Sequence, residues 1–245
     1  MGQNAPGLQE RTLRAFTLLY HLREDWGGEL ILCCGLGPDG AALSLAANIA
    51  GAACLSIEPD PVIARQALRN GACDFVVNSI DEALRALKNE IRRRRPLSVG
   101  LQGDRAPILQ ELIDRGIAPK LFSDMTEGVS LDYAFDFKRH SGTQIIDFNQ
   151  SMGSTEAGGL EAIEADNFIQ TILDRHQWHL ASFAQPTLSA LHAFDARALT
   201  VINPEDSMRR RWLQLAPKVL PRELPLRRCL FVSSQESELL AHSEA

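Results

Sequence analysis

Gly35, Gly37 and Gly40 in the hexapeptide Gly35-Leu36-Gly37-Pro38-Asp39-Gly40 have the spacing that lets backbone amides approach a phosphate. An apolar run, Glu29 to Cys34, precedes them, and a small-residue helical stretch from Ala41 to Ala50 follows. Next comes a second apolar run, Ala52 to Ile57, ending on Glu58. Strand, G-x-G-x-x-G, helix, strand and acid is the order of a dinucleotide-binding βαβ unit. In that unit the first glycine makes the tight turn and the second admits the pyrophosphate. The third lets the helix lie close to the strand. Free N–H groups at the helix start, with Pro38 at its first position, would meet the phosphates, and Glu58 stands where an acid meets ribose hydroxyls. A glycine turn between strand and helix also occurs in α/β proteins that bind nothing there, so both readings stand at this level.

The rest of the chain must place that loop. Leu13, Phe16, Leu19, Tyr20 and Leu22 predict an amphipathic helix over residues 9–23. Helices are expected over 60–70, from the Ser79-Ile80-Asp81-Glu82 capping box to the Arg92–Arg95 cluster, and over 106–115, closed by Gly116. Short strands are expected at 75–78, 97–101 and 121–124. Alternating strands and helices imply a doubly wound, mainly parallel, Rossmann-like α/β sheet with helices on both faces. Ligands of such sheets gather at the carboxyl ends of the strands. That rim would carry the Gly35 loop with Ala41, Glu58, the Gly103-Asp104-Arg105 loop and the Asp124-Met125-Thr126 loop.

Beyond Tyr133 the pattern thins. A strand is expected at 144–148, a loop at 150–159, helices at 160–184 and 186–198, and a last strand at 229–232. Residues 215–226 read as irregular and 236–245 as a fraying end. The expected division is a dinucleotide-binding core over 1–135 and a mostly helical C-terminal extension over 136–245, packed on the same domain.

Composition narrows the function classes. The 245 residues are 45% hydrophobic and 23% charged with a net charge of −6, ordinary for a soluble globular protein and unlike a nucleic-acid binder. The arginine clusters 92–95 and 209–211 read as solvated helix faces. No run suits a membrane span or a secretory signal, which predicts a cytoplasmic protein without membrane partners. Five cysteines without C-x-x-C or zinc spacing fit a reduced compartment, with Cys33 and Cys34 as core residues. His176 and His179, three apart on an expected helix, lack a third metal ligand, so no metal is expected. Trp178 and Trp212 read as packing anchors, and no nucleophile elbow, Walker loop or paired-acid signature occurs.

One stretch resembles a known family. Arg95-Pro96-Leu97-Ser98-Val99-Gly100-Leu101-Gln102-Gly103-Asp104-Arg105-Ala106, then Leu109 to Pro119, then Leu121-Phe122-Ser123-Asp124-Met125-Thr126, is similar to the central domain of the urocanases (urocanate hydratases). There a strand leads to a Gly-Asn-Ala-Ala turn, a Pro-Glu-Leu helix, Arg-Arg-Gly-Val-Arg-Pro-Asp and an Asp-Gln-Thr-Ser-Ala-His loop. Gly35 to Ala42 resembles that family's Gly-Leu-Gly-Gly-Met-Gly-Gly-Ala, Glu58 its acid, and Ser79 to Ala86 its next helix start. The similarity spans about residues 28–135. It implies a tightly bound NAD+ whose nicotinamide acts as an electrophile toward an imidazole substrate, with a second domain supplying most of the substrate pocket.

The departures matter. Asp104-Arg105 replaces Asn-Ala, and Met125-Thr126-Glu127-Gly128-Val129 replaces Gln-Thr-Ser-Ala-His. Polar partners of the cofactor are lost, and Asp104 and Glu127 add negative charge near a pyrophosphate, unfavourable at low dielectric. Arg105 offsets part of it. The family's catalytic cysteine has no match, since Cys229 lies in an expected strand. Three functions follow from these facts: a stand-alone urocanase-like domain binding NAD or a related nucleotide or small molecule, a scaffold that kept the fold without the ligand, and a hydro-lyase completed by a partner subunit. A homodimer is a further expectation.

Overall fold

The computed structural model describes residues 6–126, 131–148, 162–221 and 224–241. In chain order these form α1 (Leu8–Leu22), β1 (Leu30–Cys34), α2 (Pro38–Ala50), β2 (Ala53–Glu58), α3 (Pro61–Arg69), β3 (Phe75–Val77), α4 (Ile80–Arg92), β4 (Leu97–Gln102), α5 (Arg105–Asp114) and β5 (Leu121–Asp124). There follow α6 (Leu131–Ser141), β6 (Gln144–Asp147), β7 (Ile163–Glu164), α7 (Ala165–His176), β8 (His179–Ala184), α8 (Leu188–Val201), α9 (Ser207–Val219), β9 (Arg227–Val232) and α10 (Ser234–Ala241).

Seven strands form one sheet in the order β3-β4-β2-β1-β5-β6-β7, and every pairing is parallel. β1, β2 and β5 are buried along their whole length because both faces are covered. Side chains alternate between two cores as the pleat requires. Ile31 and Cys33 join α1, α2, α7 and α9 on one face, whereas Leu30, Leu32 and Cys34 join α4, α5 and α6 on the other. Leu36, Ala41, Leu45 and Ala67 pack α3 beside α2. The doubly wound parallel sheet expected from the sequence is therefore present.

The C-terminal part differs from expectation in several places. The helix expected over 160–184 is interrupted. Gln177 adopts φ +53, and the Trp178 N–H donates to Leu173 O at 2.9 Å, closing α7 with a left-handed cap. His179–Ala184 then turns into β8, which pairs antiparallel with β9 in a separate two-stranded sheet. His176 and His179 thus do not share a helical face. The His176 ring stacks on Trp178 at 4.3 Å, and the Arg209 guanidinium lies 4.2 Å from the same indole. The stretch expected to be irregular from 215 is helical through Val219, since Pro217 sits in the last turn of α9. The expected frayed end forms α10 as far as Ala241, pinned by buried Leu240. Ser79 is the N-cap of α4 but its side chain makes no cap bond. The loop expected at 150–159 lies outside the described residues.

The second arginine cluster is no solvated face. Arg209 is 4% exposed, held by Asp206, by both carboxylate oxygens of Glu236 and by Phe231 O. Arg211 donates to Ile49 O and Ala50 O, the free carbonyls at the end of α2. Arg211 thus brings a cation to the C-terminus of a neighbouring helix. Trp212 is fully buried and donates from Nε1 to Cys229 O at 2.9 Å.

Candidate nucleotide-binding site

Where β1 ends, the strand order departs in opposite directions, toward β2 on one side and β5 on the other. The Cα register pairs Cys34 with both Ile57 and Asp124, and Glu58 with Gln102. The loops after β1, β2, β4 and β5 therefore open on one rim, at the crevice where doubly wound sheets bind ligands.

The three glycines of the β1–α2 turn have three different local reasons. Gly35 adopts φ +90, and its N–H donates to Ile57 O at 2.7 Å, so the chain turns off the sheet while still hydrogen-bonded to it. Gly40 packs against the strand end so closely that an added Cβ would lie 2.0 Å from Gly35 O. Gly37, the N-cap of α2, has φ −58, open to any residue, and a Cβ there would meet nothing within 4 Å. Its missing side chain leaves space at the mouth of a 13-residue helix. Pro38 occupies the first turn and the Ala41 N–H donates to Gly37 O at 2.9 Å.

Glu58 sits at the rim as expected, but the protein uses its carboxylate. Oε2 accepts from the Leu36 N–H at 2.7 Å and Oε1 from the Asp60 N–H at 2.9 Å, with the residue 4% exposed. Each buried amide-to-carboxylate bond contributes about 1.5–3 kcal/mol. The acid thereby clamps the glycine loop from below. Asp39 pairs with Arg11 of α1, a partner the sequence did not single out. A cavity of about 650 Å³ opens beside the loop, lined by Leu36, Gly37, Pro38 and Ala41, by Ile63 and Gln66 of α3, and by Arg11.

On the other side of the crevice the Gly103 N–H donates to Glu58 O at 3.1 Å, and Asp104 is the exposed N-cap of α5 without a side-chain cap bond. Arg105 donates to Asp124 Oδ2 at 2.7 Å and contacts the Thr126 hydroxyl. Asp124, buried, also accepts from the Thr126 N–H at 2.9 Å and from its Oγ1 at 2.6 Å. Met125 continues the strand's pairing through its N–H to Cys34 O at 2.8 Å. Glu127, Gly128 and Val129 lie outside the described residues. Burial, and then the Asp124 charge, push the Cys34 thiol well above its usual range, so it is no nucleophile. Cys33 is raised by burial in the same way.

The profile of the urocanase Rossmann-like domain matches residues 9–131, from α1 to the start of α6. The chain belongs to the urocanase Rossmann-like domain family. Among solved structures, similar chains include a quinone oxidoreductase of Pseudomonas syringae pv. tomato DC3000, at TM-score 0.41 and 15% identity over 71% of this chain and 54% of that one. A short chain alcohol dehydrogenase of E. coli CFT073, complexed with cofactor NADH, gives 0.38 and 11% over 83% and 58%. An alcohol dehydrogenase zinc-binding domain protein of Burkholderia ambifaria gives 0.37 and 12% over 65% and 36%. The chain thus spans between about a third and three fifths of these proteins' lengths. No group of three or more potential metal ligands converges among the described residues. No helix among them is long and apolar enough to cross a membrane.

Proposed function

We propose that this urocanase-family domain binds an adenine dinucleotide, NAD or a close relative, across the Gly35–Gly40 turn, and that this chain does not itself hydrate urocanate. The open side of Gly37 carries the reading. Neither backbone conformation nor packing requires a glycine there, whereas a phosphate group at the start of α2 does. Gly35, Gly37, Pro38, Asp39, Gly40 and Ala41 would cradle the pyrophosphate. Glu58 has two amides on its oxygens and would offer its remaining lone pairs to a ribose. Across the crevice Gly103, Asp104, Arg105, Asp124, Met125 and Thr126 would face the second nucleotide, with Arg105 supplying positive charge. When bound, a nicotinamide supplies an electrophilic ring. Among the described residues of this rim no imidazole is available to move a substrate proton.

Isothermal calorimetry with NAD+, NADH and ADP-ribose, joined to mass analysis of the purified protein for copurified nucleotide, tests the binding. No heat at millimolar ligand and no copurified nucleotide would refute it. Loss of urocanate absorbance with added NAD+ tests the second half, and turnover above about one per second, within the ordinary enzyme range, would overturn it. A scaffold that has lost the ligand is favoured by one observation: Arg105 is already tied to Asp124 and Thr126 across the crevice. Negative calorimetry with a folded protein selects that reading.

A further inference from the structure

Unpaired strand edges invite other chains, and proteins blunt them by shortness, charge, proline or cover. The seven-stranded sheet ends on β3, of three residues, and β7, of two. The small sheet has two six-residue strands, and β9 has its outer edge plugged by side chains. Gln9 Nε2 donates to Arg227 O at 3.1 Å and Gln9 Oε1 accepts from the Cys229 N–H at 2.6 Å, as a neighbouring strand would. Trp212 takes Cys229 O and Arg209 takes Phe231 O.

Those bonds also fix which groups of β8 are free. Arg227, Cys229 and Phe231 aim their backbone away from β8, so their register partners Ala184, Ser182 and Leu180 aim theirs away from β9. Among the described residues nothing accepts from or donates to these outward groups. Nor does β8 carry the usual protection: His-Leu-Ala-Ser-Phe-Ala contains no acid, lysine, arginine or proline. Ser182 and Ala184 are exposed.

We propose that β8 is the contact through which two copies of this chain dimerise, antiparallel, with the two-fold axis at Ser182. In that register Ser182 faces its own copy and the two exchange a pair of backbone bonds. Leu180 and Ala184 of opposite copies form the flanking hydrogen-bonded pairs. The two large apolar side chains then oppose small ones, Leu180 against Ala184 and Phe183 against Ala181, which is the complementarity a self-pairing strand needs. With no charge in the strand, a second copy meets no repulsion, and β9-β8-β8-β9 becomes one continuous sheet.

Sedimentation velocity on the full chain, over about 1–200 μM, a range that spans micromolar affinity, tests this. The wild type shifts from monomer to dimer. Ser182→Pro removes the central outward N–H, which the β8–β9 ladder does not use, and gives monomer, with an unchanged melting temperature at the low concentrations where the wild type is also monomeric. Ser182→Lys places two ammonium groups opposite each other and does the same, so the test survives a misfolded proline variant. Mixing Ser182→Lys with Ser182→Glu restores the dimer as a heterodimer, because position 182 faces 182. A wild type that stays monomeric throughout overturns the proposal. So does a dimer that persists in both Ser182→Lys and Ser182→Glu alone, or a mixture that stays monomeric.

Discussion

Gly40 and Gly37 stand three residues apart and should fail in opposite ways when given a side chain. A Cβ at Gly40 lies 2.0 Å from Gly35 O, while ordinary contact begins at 3.4 Å, so loop and helix must separate by about 1.4 Å. Gly35 cannot yield freely, because its N–H is bonded to Ile57 O and the next amide to Glu58. Gly40→Ala gains about 1 kcal/mol of helix propensity. It loses about 1–3 kcal/mol to overpacking and, if the loop lifts, a further 1.5–3 kcal/mol from the Leu36–Glu58 bond. With the loop lifted the net is about 1.5–5 kcal/mol of destabilisation. At about 2–4 °C per kcal/mol for a chain of this size, the melting temperature falls by roughly 3–20 °C. Gly37→Val meets nothing within 4 Å, and the poorer N-cap costs about 1 kcal/mol, so melting shifts by no more than about 4 °C. The valine fills the phosphate space instead and removes any NAD-induced rise in melting temperature. Differential scanning calorimetry with and without NAD+ reads both effects. If Gly40→Ala melts with the wild type, or Gly37→Val falls as far as Gly40→Ala, the division of labour among the glycines is wrong.

Three further outcomes follow from the packing. Burial opposes ionisation of Glu236, yet hydrogen bonds from Arg209 and the Ser233 N–H outweigh it and hold its carboxyl below the usual range. That contribution is present above the unfolded carboxylate value, about 4.3, and is lost as pH falls through the lower folded value; Glu236→Gln should flatten this part of the acid-stability curve measured by urea titration. Asp195→Ala strands the buried Arg228 guanidinium, now bonded at 2.7 and 2.8 Å, and should destabilise by about 3–5 kcal/mol in chemical denaturation. Gln9→Leu removes the side chain that accepts from the Cys229 N–H and donates to Arg227 O and should cost about 1–3 kcal/mol by the same measurement.

The parallel sheet was legible because its strands are short apolar runs closed by turn chemistry, and each local signal agrees with the topology. The glycine loop was legible for the same reason, since Gly35 and Gly40 are demanded by backbone and packing that a spacing pattern encodes. What the sequence concealed depends on partners far away in the chain. Glu58 looked like a ribose acid, and only the fold brings the Leu36 and Asp60 amides onto its oxygens. Arg209 looked solvated because Glu236 and Phe231 O lie more than twenty residues away. The break at Gln177 had no glycine or proline to announce it, and a strand of alanine, serine and phenylalanine is compatible with a helix until β9 pairs with it.

The Gln9 plug on β9 also orders events during synthesis. The residue that completes the strand's edge is made at the start of the chain, and its target is made some 220 residues later. Until then the face of α1 and α2 that receives Trp212, Leu230 and Phe231 has no cover. A ribosome-bound chain that has just finished the family-matched segment at residue 131 therefore displays that apolar face to its surroundings. Cut out and expressed alone, residues 9–131 would keep β1 to β5 and the glycine loop but should aggregate through this surface. The family-matched segment and the C-terminal part thus share one hydrophobic core, and Gln9 of α1 bonds β9 at its edge.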